Sequence, residues 1–395
     1  DNIMILIINI FAALATGGAV VAGQYLGRKD EKSACKAATQ LVWFVSLSAV
    51  VIMILVYFGK DIILNQVFGH ITAEVKGHAD IYLLIVTASI PFIALYNGGA
   101  AIFRAMGNSQ VSMRVSLLMN AINVTGNAIL VFGLRIGTAG VAIPTLISRM
   151  VAAIVITVLL CNQTRILHIE RTLKFRFDGR MIRKILAIGV PNGLENSMFQ
   201  LGKILVLSLV STFGTYAIAA NAVSNAIALF QILPGMAISL AITTVISQCV
   251  GANDYEQVHY YLKKLLVIIY VAMAGTVALI FLALPLILKA YNLSDQTAAA
   301  ATNIIHFHGI SAMIIWPLSF ALPAAYRAAG DAKACMYTSI VSMWIFRIGF
   351  SYLVGKYMGL GVFGVWVAMV IDWVVRAICF VIRYFNGKWK HGAIV

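Results

Sequence analysis

Eleven long apolar runs follow one another along the chain, and they constrain its fold more than any other feature. The runs cover residues 2–26, 38–58, 80–103, 113–133, 138–160, 186–212, 216–247, 262–288, 302–326, 335–354 and 361–385. At 1.5 Å per residue, a helix of about 20 residues crosses the hydrocarbon core of a bilayer. Backbone groups in lipid must be paired within a helix or a closed barrel, and barrel strands would be shorter and would alternate in polarity. The pattern therefore predicts an all-α polytopic membrane protein with eleven helices.

Basic residues are distributed unevenly among the connections. Of the 29 lysines and arginines, we count 20 in alternate connections, at 27–37, 104–114, 161–185, 251–264 and 327–335 and after the last run, against five in the other loops. Cytoplasmic loops carry such an excess, so we expect these connections and the C-terminus to be cytoplasmic. The net charge of +15 then reflects membrane orientation, and we expect no nucleic-acid partner.

The chain also contains an internal repeat. Three motifs recur at offsets of 224, 223 and 224 residues: Gln24-Tyr-Leu-Gly27 with Gln248-Cys-Val-Gly251, Arg104-Ala-Met-Gly107 with Arg327-Ala-Ala-Gly330, and Gly140-Val-Ala-Ile143 with Gly364-Val-Trp-Val367. Both copies of each motif fall on the same predicted side, which indicates parallel repeats about an axis normal to the membrane. We predict an N-terminal lobe at 1–165, a cytoplasmic linker at 166–184 and a C-terminal lobe at 185–395.

The repeat leaves one helix without a counterpart. The run that opens the second lobe, Ile185 to Gly214, would have its partner before Asp1. We therefore expect the natural protein to begin about 40 residues earlier, with the missing first helix of repeat 1 bringing it to two six-helix repeats.

Six ionisable residues fall within the predicted spans: Arg149, Glu195, Lys203, Arg347, Asp372 and Arg376. Each costs roughly 2.5–3.5 kcal/mol at membrane depth on insertion scales. These charges either neutralise one another, as the i,i+4 pair Asp372 and Arg376 would, or they handle ions and substrate. The rise per residue separates Lys203 from Glu195 by about 12 Å. We therefore expect Glu195 to face Arg347 or Arg376.

The first repeat is polar but neutral in the matching region. Asn120, Asn123 and Asn127 recur on one helical face, and Asn97 lies in the preceding span. Amide stripes of this kind hold membrane helices together or line a cavity, and the pattern leaves both alternatives open.

Motifs for nucleotides and metals carry little weight. Gly359-Leu-Gly361-Val-Phe-Gly364 matches a dinucleotide fingerprint but lies in an outer loop rather than after a strand. The sequence lacks the phosphate-binding motif of ATP-driven pumps, so we expect no ATP and no cofactor. His306 and His308 are two residues apart, on different faces of a helix, which excludes a shared metal. The five cysteines are scattered and form no ligand motif.

As a set, several motifs carry a resemblance that covers essentially the whole chain. They are Gln24-Tyr-Leu-Gly-Arg-Lys-Asp30, Phe103-Arg-Ala-Met-Gly-Asn108, Asn120-Ala-Ile-Asn123, Ile129-Leu-Val-Phe-Gly133, Gly140-Val-Ala-Ile-Pro-Thr145, Gly189-Val-Pro191 and Gly214-Thr-Tyr-Ala-Ile-Ala-Ala-Asn221. The chain resembles the multidrug and toxic compound extrusion (MATE) transporters. The resemblance implies two six-helix lobes around a cavity, and export of organic, often cationic, compounds in exchange for H⁺ or Na⁺.

The chain departs from the family pattern at two acidic positions. Asn127 stands where first-lobe members carry a second acid. Phe199 stands where many members carry a glutamate, and Glu195 comes one turn earlier. Three buried cations are also unlike a purely cation-accepting cavity.

We therefore expect a monomeric antiporter for small organic, cationic and drug-like compounds in a bacterial plasma membrane, working by alternating access. The candidate site residues are Glu195, Asp372, Arg347, Arg376, Lys203, Asn123, Asn127, Asn97 and Gln200, with Na⁺ at Asn123, Asn127 and Thr145 or at Glu195 and Asp372. We expect Glu195→Gln and Asp372→Asn to abolish transport without affecting insertion. A lipid-linked oligosaccharide flippase of the related superfamily is the main alternative, since a cationic cavity suits phosphate. A membrane enzyme would need an interfacial catalytic cluster, and the sequence contains none.

Overall fold

The structure is a computed structural model that describes residues 2–67, 72–169 and 176–395. Within those ranges it contains thirteen α-helices and no β-strand. The helices are α1 (Asn2–Gly27), α2 (Glu31–Ile62), α3 (Ala73–Thr87), α4 (Ile90–Ala105), α5 (Ser109–Asn127), α6 (Thr138–Leu160), α7 (Gly179–Ser211), α8 (Thr215–Gly251), α9 (Tyr255–Ala290), α10 (Asp295–Ile314), α11 (Leu322–Ala328), α12 (Ala332–Ser342) and α13 (Val362–Asn386). The prediction of an all-α membrane fold is confirmed.

Two pairs of helices, α3 with α4 and α10 with α11, each correspond to one apolar run, so the thirteen helices account for the eleven runs. Several of the helices also continue as π-helical turns. The turns lie at Ile63–Val67 after α2, Ala128–Gly133 after α5, Pro317–Ala321 before α11, and Met343–Gly349 and Ser351–Tyr357 after α12. Such turns are frequent at functional sites. The second turn after α12 and the one after α5 occupy matching places in the two repeats.

In the described part of the chain, eight helices are long and apolar enough to cross a membrane, and two bent pairs bring the number to ten. The pairs are α3 with α4, bent by 44°, and α10 with α11, bent by 60°. Prolines at the start of α4 and between α10 and α11 remove backbone donors, which explains the bends. Helix α7 matches the remaining predicted span, but its polar residues lower its hydropathy and it is not among the ten.

The backbone itself carries the internal repeat. Four pairs of residues with positive φ are separated by 223 or 224 positions: Lys29 (62°) with Asn253 (55°), Gly107 (82°) with Gly330 (95°), Arg135 (52°) with Gly359 (77°), and Gly137 (82°) with Gly361 (64°). Positive φ is uncommon outside glycine. Its recurrence at one spacing therefore reflects the internal repeat and not the amino-acid composition. The helices that follow the first pair are also capped alike, by Asp30 and by Asp254.

The chain divides into two compact units, Asp1–Gly193 and Leu194–Val395, with the division inside α7. The lobe and linker boundaries at 165/166 and 184/185 stay predictions, and residues 170–175 of the linker lie outside the described ranges. Asp178 lies just before α7 and forms a 2.6 Å salt bridge with Lys36 of α2. The hydrogen bond from Lys36 is the main reason that the pKa of Asp178 lies below its usual range.

In the second unit, α7, α8, α9, α10 and α13 enclose an apolar core that includes Val210, Ile304 and Trp366. The indole of Trp366 donates a 3.0 Å hydrogen bond to Asn221 Oδ1, which satisfies a polar group in this core. The core thereby fixes α13 against α8, and α13 carries two of the charged candidates.

The C-terminal tail closes one end of the second unit. Trp389 is fully buried, and the Tyr255 hydroxyl donates a 2.8 Å hydrogen bond to the Lys390 carbonyl. Asp331 receives two hydrogen bonds from Arg383, at 2.5 and 2.9 Å. The end predicted to be cytoplasmic is therefore held by both aromatic packing and a bidentate ion pair.

Candidate functional site

Phe199, on α7, has three cationic side chains around its ring. Lys203 Nζ lies 4.8 Å from the ring centroid, Arg347 Cζ 4.9 Å and Arg376 Cζ 5.9 Å. Lys203 follows one turn later on α7, Arg347 lies in the π-helical turn after α12, and Arg376 lies on α13. We call these four residues together with Asp372 the cation cluster. Three separate segments of the second unit build it.

The close approach of α7 to the π-helical turn depends on Gly202. A Cβ atom at this position would lie 2.4 Å from Met343 Cε and 3.2 Å from Ile348 Cδ1. A larger residue would need those side chains to move. The missing side chain at Gly202 therefore lets Phe199 and Lys203 lie beside Arg347.

Asp372 is the carboxylate of the cluster. Its Oδ1 accepts hydrogen bonds from Arg376 Nε at 2.9 Å and from Ser342 Oγ at 2.5 Å. Its Oδ2 lies 3.2 Å from Arg347 Nε, but these two atoms are not aligned for a hydrogen bond. The predicted i,i+4 pair of Asp372 and Arg376 is confirmed, and Arg347 joins it as a second cation.

The cluster carries more positive than negative charge. Asp372, Arg376 and Arg347 are 0%, 2% and 6% exposed, while Lys203 is exposed. Over residues 2–67, 72–169 and 176–395, Asp372 is the one carboxylate in ion-pair contact with any of the three cations. Each cation–π contact contributes about 0.5–2 kcal/mol, against roughly 2.5–3.5 kcal/mol for a charge at membrane depth. Three cations and one carboxylate leave a net charge of +2, and within the described ranges Lys203 is the one cation of the three without an anionic partner.

Glu195 lies outside this cluster, which corrects the expectation that it faces Arg347 or Arg376. Its Oε2 is 3.6 Å from Arg327 Nη1. That distance is too long for a hydrogen bond, and Oε2 is buried without one in the described ranges. The depth of Glu195 along α7 limits which charged residues it can reach. The rotation of α7 about its axis decides which of them it faces, and this rotation points Glu195 toward α11. Arg327 was counted among the loop cations.

Gln200 follows Phe199 on α7 and is half-buried. Its side chain makes no hydrogen bond within the described residues. Its predicted role in binding stays a prediction.

The first unit brings together only part of its predicted site. Asn127 Nδ2 donates a 3.2 Å hydrogen bond to Asn123 Oδ1. Thr145 instead donates to the Val141 carbonyl, one turn earlier on its own helix. Asn97 Nδ2 and Asn127 Oδ1 are buried without hydrogen-bond partners in the described part of the chain. The amide pair is consistent both with helix packing and with cavity lining.

Arg149 makes a polar contact within the same unit. Its Nη1 donates a 2.8 Å hydrogen bond to Ser89 Oγ, at the bend between α3 and α4. This contact ties α6 to a broken span.

His308 is a buried residue whose surroundings the sequence did not reveal. It is 3% exposed, its Nδ1 lies 2.5 Å from Gln231 Oε1, and its ring meets Trp366 and Trp373 edge-on. The sequence indicated only that His308 and His306 lie on different faces of a helix. The burial of His308 could have been inferred only from its distance from the end of the apolar run and from the presence of a glutamine on another helix.

No group of three or more His, Cys, Asp or Glu side chains suited to a metal ion occurs in the described ranges. Na⁺ takes oxygen ligands, and Asp372 already faces two guanidinium groups. A cation bound there would be repelled by both arginines. Of the residues predicted for Na⁺, Glu195 and the amide pair therefore fit better than Asp372.

A family model described as MatE matches residues 1–129 and 191–353. These two segments make up well over half of the sequence. The chain belongs to the MatE family. MatE proteins are transporters, so the chain is a multi-pass membrane transporter and not an enzyme. The resemblance to MATE transporters is confirmed.

Curated bacterial relatives of this MatE chain include transporters and multidrug resistance proteins. The uncharacterized transporter YisQ of Bacillus subtilis is 28% identical, with 98% of the chain and 86% of the relative covered. The probable multidrug resistance protein NorM of Thermotoga maritima is 21% identical over 98% of the chain and 83% of the relative.

Solved structures of similar fold include MATE in a bent conformation, with a TM-score of 0.88 at 21% identity over 97% of the chain and 85% of that structure. An outward-facing multidrug resistance MATE transporter gives a TM-score of 0.90 at 22% identity with the same coverage. A transporter of the MOP superfamily from Pyrococcus furiosus, described as having a binding pocket of reverse polarity, gives 0.89 at 22% identity, again with the same coverage. These likenesses establish the fold of the MatE chain.

Proposed function

We propose that the chain exports small organic compounds in exchange for H⁺ or Na⁺ by alternating access, as a monomer in a bacterial plasma membrane. Relatives described as multidrug resistance proteins support the export of organic compounds. The basic connections at 27–37, 104–114, 161–185, 251–264 and 327–335 support a cytoplasmic location for those loops.

The half-buried Glu195 carries the proposal. Its side chain is 15% exposed, and one carboxylate oxygen lacks a hydrogen bond in the described ranges. An intramembrane carboxyl that is incompletely satisfied is suited to reversible occupation by a proton or Na⁺. Asp331, by contrast, is paired at both carboxylate oxygens by Arg383.

The long contact between Glu195 and Arg327 suggests how occupation would change the conformation. Protonation or Na⁺ binding at Glu195 removes or screens its attraction for Arg327, 3.6 Å away. Arg327 lies on α11, directly after a π-helical turn and a 60° bend. Because the coupling ion acts on a bent segment, it can shift the balance between two positions of α11.

The test is dye transport by the complete natural protein in lipid vesicles with an imposed pH or Na⁺ gradient. We expect at least one gradient to drive the transport of rhodamine 123 or carboxyfluorescein, two dyes of opposite charge. Glu195→Gln should lower the gradient-driven rate more than about tenfold, because it removes the ionisable group. Glu256→Gln, an exposed neutralisation in the same unit, should transport at the wild-type rate. Absence of gradient-driven transport for both dyes, or a Glu195→Gln rate equal to wild type, would refute the proposal.

A flippase for lipid-linked oligosaccharides is the second candidate, and the cation cluster favours it. Guanidinium and ammonium groups are the usual partners of phosphate. Because of the cation cluster, our proposal does not include the positive charge that we expected for the exported compounds.

A further inference from the structure

The positive charge of the cation cluster exceeds its negative charge. Lys203, Arg347 and Arg376 lie around one ring, and Asp372 is the single carboxylate that contacts any of them in the described part of the chain. Aromatic contact offsets only part of the cost of burying a cation. A site with surplus buried positive charge is suited to an anionic ligand.

Hydrogen-bond donors are also left over in the same region. The indole N–H groups of Trp344 and Trp373 are buried and make no hydrogen bond within the described residues. The ring of Trp373 lies 5.8 Å from that of Phe320, and the guanidinium of Arg376 lies 5.0 Å from the same ring. Buried donors usually have acceptors, so these N–H groups point to a missing acceptor independently of the charge.

We propose that the cation cluster binds the anionic group of an organic substrate, namely a carboxylate, sulfonate or phosphate attached to an aromatic or aliphatic body. This inference rests on the proposed transport function and assigns the charge of the transported compound. The proposed negative charge of the substrate is opposite to the positive charge expected from the resemblance to the family.

The residues of the cluster have different tasks. Asp372 holds Arg347 and Arg376 in place, which positions two buried guanidinium groups before a ligand arrives. Lys203 is exposed and has no anionic partner among the described residues, so its ammonium is the group that the ligand contacts first. The ring of Phe199 lies among the three cations and offsets part of the cost of holding them together.

Direct binding, without any gradient, tests the proposal. Carboxyfluorescein and rhodamine 123 share a xanthene body but carry opposite charge, and fluorescence polarisation of each dye with the complete protein in neutral detergent gives its Kd. We expect carboxyfluorescein to bind more tightly than rhodamine 123 at about 0.15 M salt, where long-range attraction is screened. Lys203→Gln should raise the carboxyfluorescein Kd about tenfold or more, because a charge-assisted contact is lost.

Two further variants separate site binding from general attraction. Lys289→Gln removes an equally exposed positive charge far along the chain in the same unit and should leave the Kd unchanged. Lys203→Arg keeps the charge and should keep the Kd within about threefold of wild type. Equal effects of Lys203→Gln and Lys289→Gln, or tighter binding of rhodamine 123, would overturn the proposal.

The source of the anionic group is settled by competition. A naphthalene sulfonate and a short polyprenyl phosphate are each added to the complex with carboxyfluorescein. Displacement by the sulfonate identifies a soluble organic anion, and displacement by the polyprenyl phosphate alone identifies a lipid phosphate. If neither displaces the dye, the cluster is not an anion site.

Failure of this inference is distinct from failure of the proposed function. Gradient-driven transport of rhodamine 123 without binding of carboxyfluorescein would refute the anion site and leave ion-coupled export intact. Binding that depends on Lys203 without gradient-driven transport would keep the anion site and refute ion coupling.

Discussion

Asp372 is a fully buried acid that contacts two guanidinium groups and a hydroxyl. From the sequence we expected Asp372→Asn to abolish transport while insertion stayed normal. The structure changes that expectation, because the substitution leaves Arg347 and Arg376 buried without a counter-charge. A residue that appeared to be a transport acid is better described as the positioning residue of the cation cluster.

We therefore predict that Asp372→Asn lowers stability by about 3–5 kcal/mol, the usual cost of removing one partner from a buried ion pair. Thermal unfolding in detergent, followed together with the yield of folded protein, measures the loss. Asp295→Asn, at an exposed site in the first turn of α10, is the control and should cost about 1 kcal/mol or less. Equal unfolding temperatures for the two variants would contradict the role assigned to Asp372.

Residues close in sequence were predicted better than residues brought together by packing. The pair of Asp372 and Arg376 follows from helical periodicity alone, because residues four apart share a face. The partner of Glu195 depends on how α7 is rotated, and sequence depth does not specify rotation. The burial of His308 against Gln231 likewise requires two helices to be packed before it can be recognised.

At the scale of the elements, length and hydropathy were sufficient to predict the spans, because the thickness of the bilayer sets both. They did not predict that two spans would be broken pairs of helices, or that four spans would contain π-helical turns. Prolines lie at the breaks, but a proline permits a kink in a membrane helix without requiring one. The turns after α5 and α12 border the asparagine pair and the cation cluster, which is where irregular backbone would serve binding.

The contact between α5 and α6 provides a test at this scale. A Cβ atom on Gly126 would lie 2.7 Å from Pro144 Cβ and 2.9 Å from its Cγ. A proline ring cannot move aside as a flexible side chain would, so Gly126→Ala should force the helices apart. Asn123 and Asn127 lie on the same helix and would move together, so their mutual hydrogen bond would be kept while their position relative to α6 would change.

We predict a loss of about 1–3 kcal/mol for Gly126→Ala, the usual cost of overpacking. Gly133→Ala is the control, since a Cβ there meets nothing within 4 Å and the residue lies in the π-helical turn that follows the same helix. Chemical denaturation in detergent compares the two variants. If Gly126→Ala is as stable as Gly133→Ala, the two helices are not in the close contact described.

At the scale of the whole molecule, the repeat is present in backbone conformation, but its two copies have diverged in what surrounds them. Gly107 and Gly330 have the same left-handed conformation, with φ of 82° and 95°. A Cβ on Gly107 meets nothing within 4 Å, whereas a Cβ on Gly330 would lie 1.8 Å from the Gly392 carbonyl oxygen. In the first repeat this turn only connects two helices. In the second repeat the C-terminal tail also packs against it.

We therefore predict different outcomes for the same substitution in the two repeats. Gly107→Ala should cost about 1–2 kcal/mol, from the strain of a left-handed alanine. Gly330→Ala should cost that amount and also displace the tail, which would unfold the 3₁₀ turn at Lys388–His391 and let trypsin cleave after Lys388 and Lys390. Limited proteolysis read by mass spectrometry should detect cleavage at these lysines in Gly330→Ala but not in Gly107→Ala or wild type. An intact tail in Gly330→Ala would mean that the tail does not rest on this turn, and the two repeats would then use their matching turns in the same way.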